Sequence, residues 1–116
     1  MINYKKIARE FGVDLVIIKK GDGWCSANGE ETYIDRSFAI IPNAIYLGIY
    51  KSQELKTLSF FHELAHCTGK FRGNFKDMYG IEKAVWNYTF TLAKERGYTF
   101  SKASKEWANK QLQTYK

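Results

Sequence analysis

Residues 62–66 read His62-Glu63-Leu64-Ala65-His66, and these two histidines are the only ones in the chain. On a helix, residues four apart lie one turn from each other on the same face. Two imidazoles at that spacing can share one metal ion, with Glu63 beside them to polarise a bound water. The pattern therefore demands a helix here, with its histidine face bordering a cleft. Two histidines scattered over a chain of this length fall four apart roughly 2% of the time, and requiring Glu after the first cuts that to about one in a thousand. The pentapeptide is thus read as a metal-binding motif rather than as a solvent-facing pair on an ordinary helix.

The rest of the chain has to fold around that helix. With 116 residues and one proline, a single domain over residues 1–116 with one modest core is expected. Hydrophobic residues at 45% and aromatics at 16% argue against disorder. No apolar run approaches the roughly 20 residues of a membrane span. The opening MINYKKIAREFG has neither an apolar stretch nor a cleavage site, so a cytoplasmic protein is expected. In a reducing compartment Cys25 and Cys67 are free thiols rather than a disulfide. The net charge of +6 permits contact with nucleic acid or an acidic protein, but the cations are dispersed in pairs such as Lys5-Lys6 and Lys19-Lys20, as on a solvated surface.

Periodicity and punctuation give the elements. Residues 2–11 place Ile2, Ile7 and Phe11 among charges, a short amphipathic helix ended by Gly12. Residues 13–20 are rich in β-branched side chains and read as a strand, followed by a Gly21-Asp22-Gly23 turn. Residues 24–27 are a possible short strand closed by Asn28-Gly29, and residues 31–41 and 44–50 are two more, separated by Pro42-Asn43. Ser52 is a helix N-cap with Glu54 in the first turn, and the helix carries HELAH to a stop at Gly69. Its Leu55, Leu58, Phe61 and Ala65 face the core, with the histidines at the edge of that stripe. Residues 70–80 form a loop, residues 81–96 a second helix ended by Gly97, and residues 101–115 a third, capped by Ser101, with Trp107, Leu112 and Tyr115 available for packing. The expected fold is α+β: a small, mostly antiparallel sheet packed against the HExxH helix and two further C-terminal helices, with a short N-terminal helix.

A catalytic zinc takes three protein ligands and leaves a fourth position open. With no third histidine, the remaining ligand has to be a carboxylate or thiolate. Asp77, Glu82, Glu95, Glu106 and Cys67 are the candidates after the motif. Glu82 is preferred: sixteen positions after His66, it opens the next helix, and a loop of that length lets the second helix pack beside the first. Asp77 falls in the loop, and Glu95 lies at the far end of its helix. Cys67 is turned roughly 100° from His66 and reads as a small buried residue. Ordinary first-turn dipole stabilisation is the competing role for Glu82.

HELAH followed by a glutamate on the next helix resembles the gluzincin type of zinc metallopeptidase. The order of helix, small sheet, HExxH helix and Glu helix is similar to the minimal zincin domains of the ImmA/IrrE type and to short zincins of phages and mobile elements. The stretch FFHELAHCTG and the segment EKAVWNYTFTLAKE, with its Glu-x-Ala-x-Trp, carry the resemblance over roughly residues 31–115. It implies His62, His66 and Glu82 as ligands of Zn2+ and Glu63 as general base, with a protein or peptide substrate, such as a regulatory protein. Tyr79 or Tyr88 could supply an oxyanion donor, although packing in the core or beside the cleft is the expected role of both; residues 44–50 are the best candidate for a strand edge on which a substrate could add, with interior sheet packing as the equal alternative. A non-catalytic interaction module on the same scaffold, or a nucleic-acid-associated regulator, are the other functions considered.

Overall fold

The computed structural model describes residues 2–17, 38–40, 44–50, 52–69 and 78–116, the stretch 38–40 as backbone. Its elements are α1 (Tyr4–Glu10), β1 (Asp14–Ile17), β2 (Phe38–Ile40), β3 (Ala44–Leu47), α2 (Gln53–Thr68), α3 (Met78–Glu95) and α4 (Lys102–Gln113). The class is α+β. The expected strand at 24–27, Asn28-Gly29, Cys25 and Asp77 lie outside the described residues.

Local chemistry sets the helix boundaries. Asn3 caps α1 by accepting from the Lys6 N–H at 3.0 Å, and Ser52 and Ser101 cap α2 and α4 in the same way. Gly12 and Gly97, beyond α1 and α3, take φ of +70° and +84°, which a side chain would resist. Gly69 ends α2 as expected, but with φ of −82° rather than in the left-handed conformation. α3 starts at Met78, so residues 78–80 are helix, not loop. Glu82 accordingly stands past the first turn, which holds no acidic residue, and the dipole role considered for it is displaced.

The sheet corrects the expected topology. Among the described residues the strand order is β1-β3-β2. β3 pairs in parallel with β1, Asp14 against Ala44 through Ile17 against Leu47. It pairs antiparallel with β2, Phe38 against Tyr46 through Ile40 against Ala44. The sheet is therefore mixed, not mostly antiparallel. β3 is its central strand among the described residues, so of the two roles open for residues 44–50 the stretch 44–47 takes interior pairing and not the strand edge. The alternation along β3 turns the fully buried Ile45 and Leu47 toward the helices.

α2 is the hub. Phe60, Phe61 and Leu64 join Tyr4, Ile7, Ala8, Val13, Ile45, Leu47, Leu92 and Ala93 in the main core. Leu58 faces the other way, with Trp86, Ala108 and Leu112. Each fully buried large side chain contributes about 1.5–3 kcal/mol of transfer free energy. A helix packed on both sides has no polar face over its central turns. Residues 57–62 are all buried, so His62 lies inside the protein rather than at the edge of an apolar stripe.

Candidate metal centre

α2 and α3 lie side by side, and this packing assembles the site. His62 and His66 project from one face of α2, and Glu82 meets them from α3. His62 Nε2 is 3.2 Å from Glu82 Oε2, and His66 Nε2 is 3.2 Å from Glu82 Oε1. One ligand atom from each of the three side chains lies within 4.8 Å of the others. His62 and Glu82 are buried, while His66 opens partly to solvent, with 21% of its side chain exposed.

Three neighbours hold His62. The Trp86 indole stacks on its ring, with centroids 3.8 Å apart and planes 21° from parallel. The Thr89 hydroxyl stands 3.3 Å from Nδ1. His66 meets its ring edge-on at a centroid distance of 4.8 Å.

Electrostatics follow from burial and from these contacts. Burial alone would raise the Glu82 carboxyl, but the two imidazoles more than offset it and hold the group at about 2. Burial, aided by neighbouring His66, lowers His62 against the pull of Glu82. Burial also acts to lower His66, yet Glu82 and Glu63 overcome it and the net shift is upward. Glu63, next to the ligand set but not in it, is pushed up to about 7 by burial, with His66 opposing and Glu82 assisting.

No family model, curated protein or solved structure matches this chain. What the site can do has to follow from its own chemistry. Two imidazole nitrogens and a carboxylate are the donor set of a catalytic zinc site. Ligand atoms about 2.0–2.1 Å from one tetrahedral ion stand about 3.3 Å apart, close to the 3.2 Å of both His–Glu pairs. Glu82 Oε2 is buried without a hydrogen-bond partner despite the proximity of His62 Nε2. An orphaned buried carboxylate oxygen is costly, and a cation between the two atoms would satisfy both. The residues fit a divalent ion such as zinc.

The other candidates lie elsewhere. Cys67 turns toward the sheet, its Sγ 3.7 Å from the Ala44 carbonyl oxygen, and burial pushes its thiol up to about 11. Glu95 is exposed, thirteen positions beyond Glu82 and so about 20 Å along the same helix. Glu106 is exposed on α4. Tyr79 packs with the Leu58 cluster and Tyr88 against the main core. The hydroxyl beside Glu82 is that of Tyr115; burial and then the carboxylates of Glu82 and Glu63 keep its pKa raised. The sequence reading assigned Tyr115 only to packing and did not single out Trp86 or Thr89 as neighbours of His62. From Glu82 the two stand at i+4 and i+7, one face of one helix, and that spacing was the signal available.

Proposed function

We propose that this chain is a zinc-dependent peptidase of minimal zincin type that hydrolyses peptide bonds of a protein substrate. The observation that supports this reading is the convergence of His62 Nε2 and His66 Nε2 on the two oxygens of buried Glu82, each at 3.2 Å, with Glu63 alongside. His62, His66 and Glu82 would hold the ion. When bound, zinc supplies Lewis acidity, polarising a substrate carbonyl and acidifying water. Glu63, with a pKa brought near neutrality by burial, suits a group that takes a proton from the attacking water and returns it to the departing amine. Tyr115, kept protonated by burial and then by its carboxylate neighbours, is better placed than Tyr79 or Tyr88 as the donor to the developing oxyanion. His66, the more open ligand, marks the side from which substrate enters. With β3 flanked on both sides, an extended substrate would have to use another edge.

The test couples metal content to cleavage of a quenched-fluorescent random peptide library. About one zinc per chain in wild type and in Glu63→Gln is expected, with cleavage abolished in the latter and zinc lost in Glu82→Ala and His66→Ala. Equal cleavage by wild type and Glu63→Gln would overturn the peptidase reading.

A non-catalytic module is the second reading, favoured by one observation. The outer face of α4 and its neighbour α3 present Lys83, Lys102, Lys105 and Lys110, all exposed, around Asn109, with Glu106 the acidic residue among them. Such a face suits an acidic protein, or nucleic acid through phosphate contacts. This reading expects partner binding that survives Glu63→Gln and weakens with salt; salt-independent association would count against it. No helix among the described residues is long and apolar enough to cross a membrane.

A further inference from the structure

α3 does more at the site than deliver Glu82. Glu82, Trp86 and Thr89 stand on one face of α3 and surround a single ring. Glu82 meets the Nε2 end of His62 at 3.2 Å, Trp86 covers its face, and Thr89 meets the Nδ1 end at 3.3 Å.

A threonine hydroxyl has one proton to give. Thr89 gives it to the backbone carbonyl of Val85, at 2.7 Å, the shorter of its two contacts. Toward His62 only an oxygen lone pair remains, so this contact draws the proton of a neutral imidazole to Nδ1, against the pull of the Glu82 carboxylate on Nε2. Its Nε2 then carries a lone pair aimed at Glu82 Oε2, an oxygen without a hydrogen-bond partner. Two electron-rich atoms face each other in a buried site, an arrangement that favours a cation between them. With the opposite tautomer, His62 could donate to Glu82 from Nε2, and that proton would block the metal. Thr89 is fully buried, so no solvent competes for its hydroxyl.

We propose that Thr89 is a positioning residue that selects the Nδ1–H tautomer of His62, while Trp86 fixes the plane of the ring, so that Nε2 is ready for a metal ion. This rests on the metal-site reading above. Outer contacts of this kind orient the ring and raise ligand basicity, and their loss typically costs roughly 10–100-fold in metal affinity.

The experiment compares wild type, Thr89→Val and Thr89→Ser. Valine keeps the shape and removes the hydroxyl; serine keeps the hydroxyl. In metal-free protein at about pH 8, where a neutral imidazole dominates, nitrogen-15 correlation spectra of His62 should show the Nδ1–H tautomer in wild type and Thr89→Ser. Thr89→Val should shift toward Nε2–H. Zinc affinity by chelator competition should fall roughly 10–100-fold in Thr89→Val and stay near wild type in Thr89→Ser. An unchanged tautomer with unchanged zinc affinity in Thr89→Val would overturn the proposal and leave Thr89 a packing residue. Failure of wild type to bind zinc would instead defeat the proposed function, and the metal-free spectra would still report whether Thr89 sets the tautomer.

Discussion

Glu54, in the first turn of α2, accepts hydrogen bonds from the backbone N–H of Ser101 at 2.7 Å and from its hydroxyl at 2.6 Å. The Ser104 hydroxyl donates to the same oxygen. The N-termini of α2 and α4 thus share one carboxylate, which meets the positive ends of both helix dipoles. Removing it in Glu54→Ala should cost about 1 kcal/mol, the range of a partly exposed charge-assisted contact, measurable by urea denaturation.

That contact has a pH signature. The hydrogen bonds from Ser101 and Ser104 hold Glu54 below its ordinary value of 4.5. A carboxyl depressed by folding adds stability that is fully present above its unfolded pKa and disappears as pH falls through the folded one. Wild type should therefore exceed Glu54→Gln in stability at neutral pH, with the gap closing below about pH 4. A gap that persists unchanged into acid would assign the effect to packing.

Cys67 should be dispensable for metal. Its sulfur approaches Ala44 on the sheet side of α2, so Cys67→Ala should retain about one zinc per chain. A small loss of stability, about 1 kcal/mol, is expected from the trimmed buried volume. Halved zinc content would restore the thiolate as a ligand.

Zinc uptake should release protons. Burial pulls His66 down, but Glu82 and Glu63 more than compensate and keep it raised. The ion has to displace whatever proton His66 holds, so affinity falls as pH falls. Calorimetry in buffers of differing ionisation heat should show more proton release at about pH 6 than at about pH 8. Equal affinity at both would contradict the assignment.

Tyr115→Phe should leave zinc content unchanged and lower kcat about 100-fold, the usual loss of one oxyanion donor. An effect confined to KM would make Tyr115 a substrate contact only.

What the sequence revealed is what short-range chemistry controls. HELAH on a helix, the Ser52 and Ser101 caps and the stops near Gly12 and Gly97 depend on neighbours within a turn. The nearness of Glu82 to the histidines was expected from the sixteen positions between His66 and Glu82, enough for the second helix to return beside the first. The direction of β1 against β3 was hidden, because alternation records which face a strand buries and not which way its partner runs.

Two further misses have the same origin. Leu58 and Phe60 on opposite sides of α2 show a helix packed between two layers, whereas a single apolar stripe was expected. Tyr115 reaches Glu82 through the docking of α4, which Ala108 and Leu112 pack against Leu58 and Trp86 and which Glu54 ties down across 47 residues of sequence. Nothing within a turn of Tyr115 announces that.

The three side chains of the candidate site come from α2 and α3, with sixteen positions from His66 to Glu82. By the scaling of chain entropy, closing that span costs only about 0.6 kcal/mol less than bringing Asp14 to Ala44, thirty positions on. During synthesis the whole ligand set has been made before Ser101 has been added. Tyr115 can reach Glu82 only once α4 has been made and docked, so the His–Glu cluster precedes its hydroxyl neighbour along the chain.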